Sequence, residues 1–296
     1  MDRFKNCDQF KAFIKNEARK LNISVPNAYS TFIARTFLEK LSKKNTSKSI
    51  LIKGSSAETA YLGGLVRGIT DVDLASIKSI DICFPILEQI LSDETVNDIS
   101  FKLSKKPHTT KTGIHKFTFE TSMGKVNNNL NVDFQDKYGR LIEQDEYVMP
   151  PIFDGDKPFL ITTPSFEEYL AEKLCIILEN NKTDVLNTRL KDFYDIYELH
   201  GGKYDVDKLT HYFKLMLALR AKIRLEDSKT DYLDQRFVEN HKEVWESARK
   251  KYDFLDKEID LGGAVYYTRA VLREYLQKNG VAPQETQSLQ KVNFKK

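Results

Sequence analysis

The chain is poor in cysteine, has a single tryptophan and lacks any long apolar run. Its 3 cysteines, Cys7, Cys83 and Cys175, are odd in number and far apart. That suits reduced thiols rather than a disulfide framework or a zinc site. Each lies among apolar neighbours and reads as a packed free thiol. No stretch approaches the ~18 consecutive apolar residues of a membrane span. The first residues, MDRFKNCDQFKAFIKNEARK, are too charged for a signal peptide, so a cytoplasmic protein is expected. A dominant charge sign is missing as well: 46 Lys and Arg stand against 43 Asp and Glu, a net charge of +3. What remains is a chain of 296 residues, 41% hydrophobic and 30% charged. That composition describes a soluble globular protein of about two domains, at roughly 100–200 residues each.

Residues 4–20 read as a helix with Phe10, Phe13 and Ile14 on one face. Val25-Pro26-Asn27 breaks it, and Asn27 is expected to cap a second helix from Ala28 to about Lys43. In that helix Phe32, Phe37, Leu38 and Leu41 face one side and Arg35, Glu39 and Lys43 point away. A short strand, Ser49–Ile52, runs into Gly54, and Ser56–Leu65 is expected to be helical until Gly63-Gly64 ends it. Asp71–Ala75 is a strand, and Ile82–Leu91 a helix with Pro85 in its first turn. Alternating apolar residues mark three more strands, around Ile99–Leu103, Ile114–Phe119 and Leu130–Phe134. This is an α+β arrangement rather than a βαβ repeat. After Pro150-Pro151 the pattern turns helical. Thr163-Pro164 predicts a helix start, followed by helices over 165–180, 187–200, 205–226, 236–252 and 260–278. Tyr212, Phe213, Trp245, Tyr266 and Tyr267 on these helices read as core. The expected division is a sheet domain over 1–158, a helical domain over 159–280 and a loose tail over 281–296.

The chemistry-bearing stretch is Lys53–Ala75, KGSSAETAYLGGLVRGITDVDLA. Alternate residues of a strand share a face, so Asp71 and Asp73 project together while Val72 turns to the core. Two adjacent carboxylates call for a cation, and hard oxygen ligands with open positions for phosphate oxygens describe Mg²⁺. Asp133 lies on the polar side of Asn131–Gln135 and is a third candidate if that strand neighbours Asp71–Asp73. Gly54 at a strand end lets backbone approach a phosphate, the following helix start offers unpaired N–H groups, and the Ser55 hydroxyl adds a donor. The pattern alone is weak evidence. Asp-x-Asp recurs at Asp154/Asp156 and Asp205/Asp207, where a turn former and a helix cap explain it. Further on, Lys173 sits off the apolar face of its helix. Asp192 and Asp195 lie one helical turn apart, in a spacing that also fits surface pairs of Arg189 with Asp192 and Lys191 with Asp195.

Taken together, FLEKLSKK (37–44), LIKGSSA (51–57), RGITDVDLA (67–75), LNVDF (130–134), TPSFEEYLAEKL (163–174) and RLKDFYDIYEL (189–199) resemble, in order, the AbiEii/AbiGii nucleotidyltransferase toxin family. That family is part of the DNA polymerase β-type superfamily. The resemblance implies a mixed sheet flanked by helices and a C-terminal helical bundle that completes an active-site cleft. It implies an enzyme using an NTP with Mg²⁺ or Mn²⁺. Asp71 and Asp73 would be metal ligands, joined by Asp133 at a position less dependable in the family. Gly54, Ser55 and Lys53 would hold the nucleotide, Lys173 would contact its phosphates, and Asp192 would be the essential acid of the last motif, with Asp195 the open alternative. Relatives of this kind are toxins of toxin–antitoxin or phage-defence systems. Some add nucleotides to the 3′ end of tRNA, and a DNA-binding antitoxin is the usual operon neighbour. Many relatives carry Gly-Gly where this chain has Gly54-Ser55. One feature read from the residues agrees with a nucleic-acid acceptor. Between Lys102 and Lys125 lie six lysines, two histidines and one acid, Glu120, so that Lys102, Lys105, Lys106 and Lys111 are candidate RNA contacts. A lysine-protected strand edge explains them equally well. Transfer to a protein or small molecule, and an inactive binding module, are the rival readings.

Overall fold

The structure, a computed structural model, describes residues 3–46, 48–92, 99–104, 107–111, 113–123, 125–136, 143–180, 189–219, 233–254 and 258–278. It divides into two compact units, Met1–Ser165 with Tyr252–Leu255 and Phe166–Lys251 with Asp256–Lys296.

The first unit is α+β. Its elements are α1 (Cys7–Lys20), α2 (Val25–Lys44), β1 (Ile50–Lys53), α3 (Gly54–Leu62), β2 (Asp71–Ser76), α4 (Ile80–Ser92), β3 (Ser100–Leu103), β4 (His108–Thr109), β5 (Ile114–Met123), β6 (Val126–Gln135), β7 (Gln144–Met149) and β8 (Phe159–Pro164). The main sheet runs β1-β2-β6-β5-β3, with β4 added to β5, and β7 and β8 form a separate pair. Among the described residues of this mixed sheet, β2 and β6 pair in parallel and the other pairs are antiparallel. Alternation sets its two faces. Val72, Leu74, Phe117, Phe119, Leu130, Val132 and Phe134 are buried on one side, where the Phe37 ring of α2 meets Phe119 at 5.5 Å. The other face is polar. It carries Asp71 and Asp73 and, on the partner strands, Asn131, Asp133, Lys116 and Thr118.

Helix α2 begins earlier than Asn27. Ser24 is the cap, its side chain accepting from Asn27 N, and Pro26 falls in the first turn, where its missing N–H is harmless. The Asn27 amide instead donates to Asp253 Oδ2 at 2.8 Å, in the returning Tyr252–Leu255 segment. Arg35 does not point away from the core. It is buried, with Nε 2.9 Å from Asp156 Oδ2, and donates to the Lys157 carbonyl at 2.7 Å. Asp156 also accepts from the Ile152 and Phe153 amides, the turn-forming role expected of the second Asp-x-Asp. Pro85 lies inside α4 rather than in its first turn, because the helix starts at Ile80. Thr163-Pro164 is not a helix start: it ends strand β8, whose residues pair with β7 from Met149↔Phe159 to Gln144↔Pro164. Neither strand alternates cleanly in sequence, since Val148 and Leu160 face solvent and their pairing is visible only once the chain folds back.

The second unit holds α5 (Phe166–Asn180), α6 (Lys191–His200), α7 (Val206–Leu219), α8 (Gln235–Tyr252) and α9 (Leu261–Lys278). Tyr212, Phe213 and Trp245 are buried, and Phe213 meets Tyr275 edge-on at 4.4 Å. Tyr266, expected in the core, is exposed instead. Asp205 caps α7, its Oδ1 accepting from Asp207 and Lys208 N–H groups, which accounts for the third Asp-x-Asp. The expected helical residues 220–226 and the tail 281–296 lie outside the described residues. No helix among the described residues is long and apolar enough to cross a membrane.

Candidate active site

The site of the first unit is assembled where β1 gives way to α3. Lys53 is the extended N-cap residue of α3 and supplies no side-chain cap. Gly54 then turns the chain with φ +61°. Strand β1 lies beside β2 with Lys53 opposite Asp73, so the turn falls against that carboxylate. A Cβ on Gly54 would stand 2.1 Å from Asp73 Oδ2. Both the positive φ and the contact therefore require glycine. The result is a helix N-terminus, with its partial positive charge, placed at a carboxylate. Ser55 and Ser56 are buried in the first turn of α3. The helix starts two residues before the expected Ser56, which brings Gly54 and Ser55 into it; Gly63, in the left-handed conformation, ends it.

On β2, Asp71 and Asp73 are half-buried on the polar face while Val72 and Leu74 are buried behind them. The parallel register places Asn131 beside Asp71 and Asp133 beside Asp73. Asp133 thus lies on the strand next to the pair, and its Oδ2 accepts from Lys116 Nζ at 2.6 Å. Among the described residues no group of three His, Cys, Asp or Glu side chains is arranged to hold a metal ion. Asp71 and Asp73 are two hard-oxygen donors on one strand face, with Asp73 at the N-terminus of α3. That donor set fits a divalent cation whose remaining ligands are phosphate oxygens and water.

The second unit contains a buried ionic network. Lys173 of α5 donates to Asp192 Oδ1 at 2.8 Å and to Asp195 Oδ2 at 2.6 Å, both on α6. Arg189 Nε reaches Asp192 Oδ2 at 2.8 Å. Asp192 and Asp195 have no exposed surface and Lys173 only 6%. The Lys173 ammonium also stands 5.4 Å from the centre of the Tyr169 ring. Burial alone would raise the Asp192 carboxyl; Lys173 and Arg189 outweigh it and hold that carboxyl below its ordinary range. The two acids are therefore interior partners of one lysine rather than a charged helix surface.

Lys102 of β3 stands directly across from Glu120 of β5, and Lys111 is exposed. Lys105 and Lys106 lie outside the described residues. Sequence reasoning missed Lys116 and Asn131. Alternation places both on the polar face, but only the strand order shows that they adjoin Asp133 and Asp71.

A mixed sheet that presents an Asp-x-Asp strand beside a glycine-initiated helix, followed by an all-helical unit, defines the polymerase β-like nucleotidyltransferase class. The particular family follows from comparison. The family profile described as "Nucleotidyl transferase AbiEii toxin, Type IV TA system" matches residues 37–275, and the chain belongs to that family. A crystal structure from H. pylori, named as a candidate nucleotidyltransferase, superposes with TM-score 0.51 at 14% identity, covering 84% of this chain and 95% of its own. JHP933 from Helicobacter pylori gives 0.49 at 14% identity, over 84% and 92%. Comparison with curated proteins gives no match.

Proposed function

We propose that this AbiEii-family protein is a metal-dependent nucleotidyltransferase toxin that moves a nucleotide from an NTP to the 3′ end of tRNA, blocking growth or conferring phage defence. The observation that carries the reading is the contact of Gly54 with Asp73. It brings a helix N-terminus and an Asp-x-Asp carboxylate to one point, which is what a phosphate with its bound cation needs. Asp71 and Asp73 would hold Mg²⁺ or Mn²⁺, which supplies charge neutralisation on the phosphates when bound. Asp133, already engaged by Lys116, would support the pair from the next strand. Gly54 gives the phosphate access to the backbone, and Ser55 and Lys53 add donors at the same turn. Lys173 would act on the nucleotide's phosphates. Asp192 has both oxygens occupied, one by Lys173 and one by Arg189. In this reading it stays ionised and, with Asp195, fixes the ammonium. A DNA-binding antitoxin encoded nearby would be the cellular counterpart, and the cytoplasm the place of action.

The test is transfer itself. Purified protein is incubated with Mg²⁺, labelled NTPs and total tRNA, beside Asp71→Ala and Lys173→Ala. Label on tRNA 3′ ends, absent with both variants, is the expected outcome. Label found only on protein or on a small molecule, or NTP binding without any transfer, contradicts it.

A further inference from the structure

The polar face of the main sheet continues well beyond the Asp71–Asp73 pair. From Asp71 the register leads across to Asn131 on β6 and Thr118 on β5. It then runs along the strands through Asn129, Glu120 and Lys102 to Asn127, Ser122 and Ser100. Directly paired residues share a face, so these side chains form one continuous polar row. Its far end opens into a hollow of about 720 Å³, whose side-chain groups include Ser100, Lys102, Glu120, Ser122, Asn127 and Asn129. That volume lies within the roughly 300–1,000 Å³ of ligand sites. From Asn131 to Asn127 the row extends roughly 13 Å by strand rise.

The chemistry of the row is specific. Beyond Asp71 its charges are one lysine, Lys102, and one acid, Glu120, paired in register, so their formal charges sum to zero. The rest are amides and hydroxyls, which both donate and accept. Thr118 Oγ1 donates to Asn131 Oδ1 at 3.1 Å, which leaves the Asn131 NH₂ as the group to be given outward. Ser100 and Ser122 hydroxyls are joined at 2.6 Å. A phosphate backbone would call for unopposed cations. Base edges and ribose hydroxyls carry paired donors and acceptors instead, which amides match. We infer that this row is the acceptor subsite, which receives the terminal nucleotides of a single-stranded RNA 3′ end through base edges and ribose hydroxyls and leads the last hydroxyl toward Asp71. The inference rests on the transferase reading above and gives the place on the fold where its acceptor is held.

The experiment uses the full chain and a 5′-fluorescein single-stranded RNA hexamer, read by anisotropy across a salt series. It also uses the labelled-NTP transfer assay with KM for RNA measured separately from kcat. The variants are Asn127→Ala with Asn129→Ala, Lys102→Ala and Asp71→Ala. The asparagine positions are exposed, and unchanged thermal melting confirms the fold. The double asparagine variant is expected to weaken RNA binding and to raise KM about tenfold, the loss of two ordinary hydrogen bonds, with kcat and the salt slope unchanged. Asp71→Ala is expected to bind RNA like the wild type while losing transfer. A double variant with wild-type binding and KM overturns the subsite, as does binding lost through Lys102→Ala alone with a reduced salt slope, the mark of a phosphate grip. Wild-type RNA transfer combined with an unaffected double variant would sink this inference and leave the transferase reading standing. Asparagine-dependent RNA binding without any transfer would sink the transferase reading and, with it, the acceptor role, leaving only an RNA-binding row.

Discussion

At the scale of single residues, Gly54 is the position on which the site depends most. Alanine there must adopt φ +61° and place its Cβ 2.1 Å from Asp73 Oδ2. The left-handed backbone costs about 1–2 kcal/mol, and relief of the contact requires the carboxylate to move. Misplacement of reacting groups by ~1 Å costs on the order of a hundredfold in rate. Gly54→Ala is therefore expected to lose about a hundredfold in transfer activity as well as stability. Gly63 is the control: its φ is +69°, and a Cβ there meets nothing within 4 Å. Gly63→Ala should lose comparable stability in urea unfolding and keep its activity. Equal activity losses in the two variants would show that strain, not the Asp73 contact, matters. The importance of Gly54 was legible in sequence as a glycine at a strand end. Its contact with Asp73 was not, because that follows from β1 and β2 being antiparallel neighbours with Lys53 opposite Asp73.

At the scale of elements, α5 and α6 are joined through Lys173, Asp192 and Asp195. Lys173→Met leaves two buried carboxylates without their shared cation. Removing one partner of a buried pair costs about 3–5 kcal/mol, so a loss of that size is expected in urea unfolding. A loss below ~1 kcal/mol would mean that the pair is solvated. The depressed Asp192 carboxyl adds a pH dependence with a definite sign. A folded value below the unfolded one gives stability that is fully present above the ordinary carboxylate value, 3.8, and is lost as pH falls through the folded value. Urea midpoints measured from pH 7 to pH 3 should fall at the acid end in the wild type and fall less in Asp192→Asn. Periodicity found the helices of this unit but placed Asp192 and Asp195 on a surface. Charged residues one turn apart look solvated until a buried lysine from another helix meets them. Strands β7 and β8 were missed for a related reason: exposed Val148 and Leu160 blur their alternation, and Thr163-Pro164 imitates a helix start.

At the scale of the molecule, two compact units carry the two sets of residues that the proposed activity uses: Gly54, Asp71 and Asp73 in the first, Lys173, Asp192 and Asp195 in the second. The α+β class and the family were readable because the Gly-Ser turn, the Asp-x-Asp strand and the Lys-Asp helix motifs occur in order. Of the three identical Asp-x-Asp spacings, sequence context already marked two as a turn former and a helix cap. The structure separates them, since Asp156 and Asp205 spend their oxygens on backbone amides while Asp71 and Asp73 line the polar face of the sheet. On the proposed function, this carboxylate pair binds a cation together with a nucleotide. Titration of Mn²⁺ into the protein by electron paramagnetic resonance, with and without a non-hydrolysable NTP analogue, tests it without relying on turnover. Mn²⁺ binding is expected to strengthen with the analogue in the wild type and to disappear in Asp71→Asn, whose fold is retained by circular dichroism. Mn²⁺ and analogue binding of equal strength in Asp71→Asn and the wild type would contradict it.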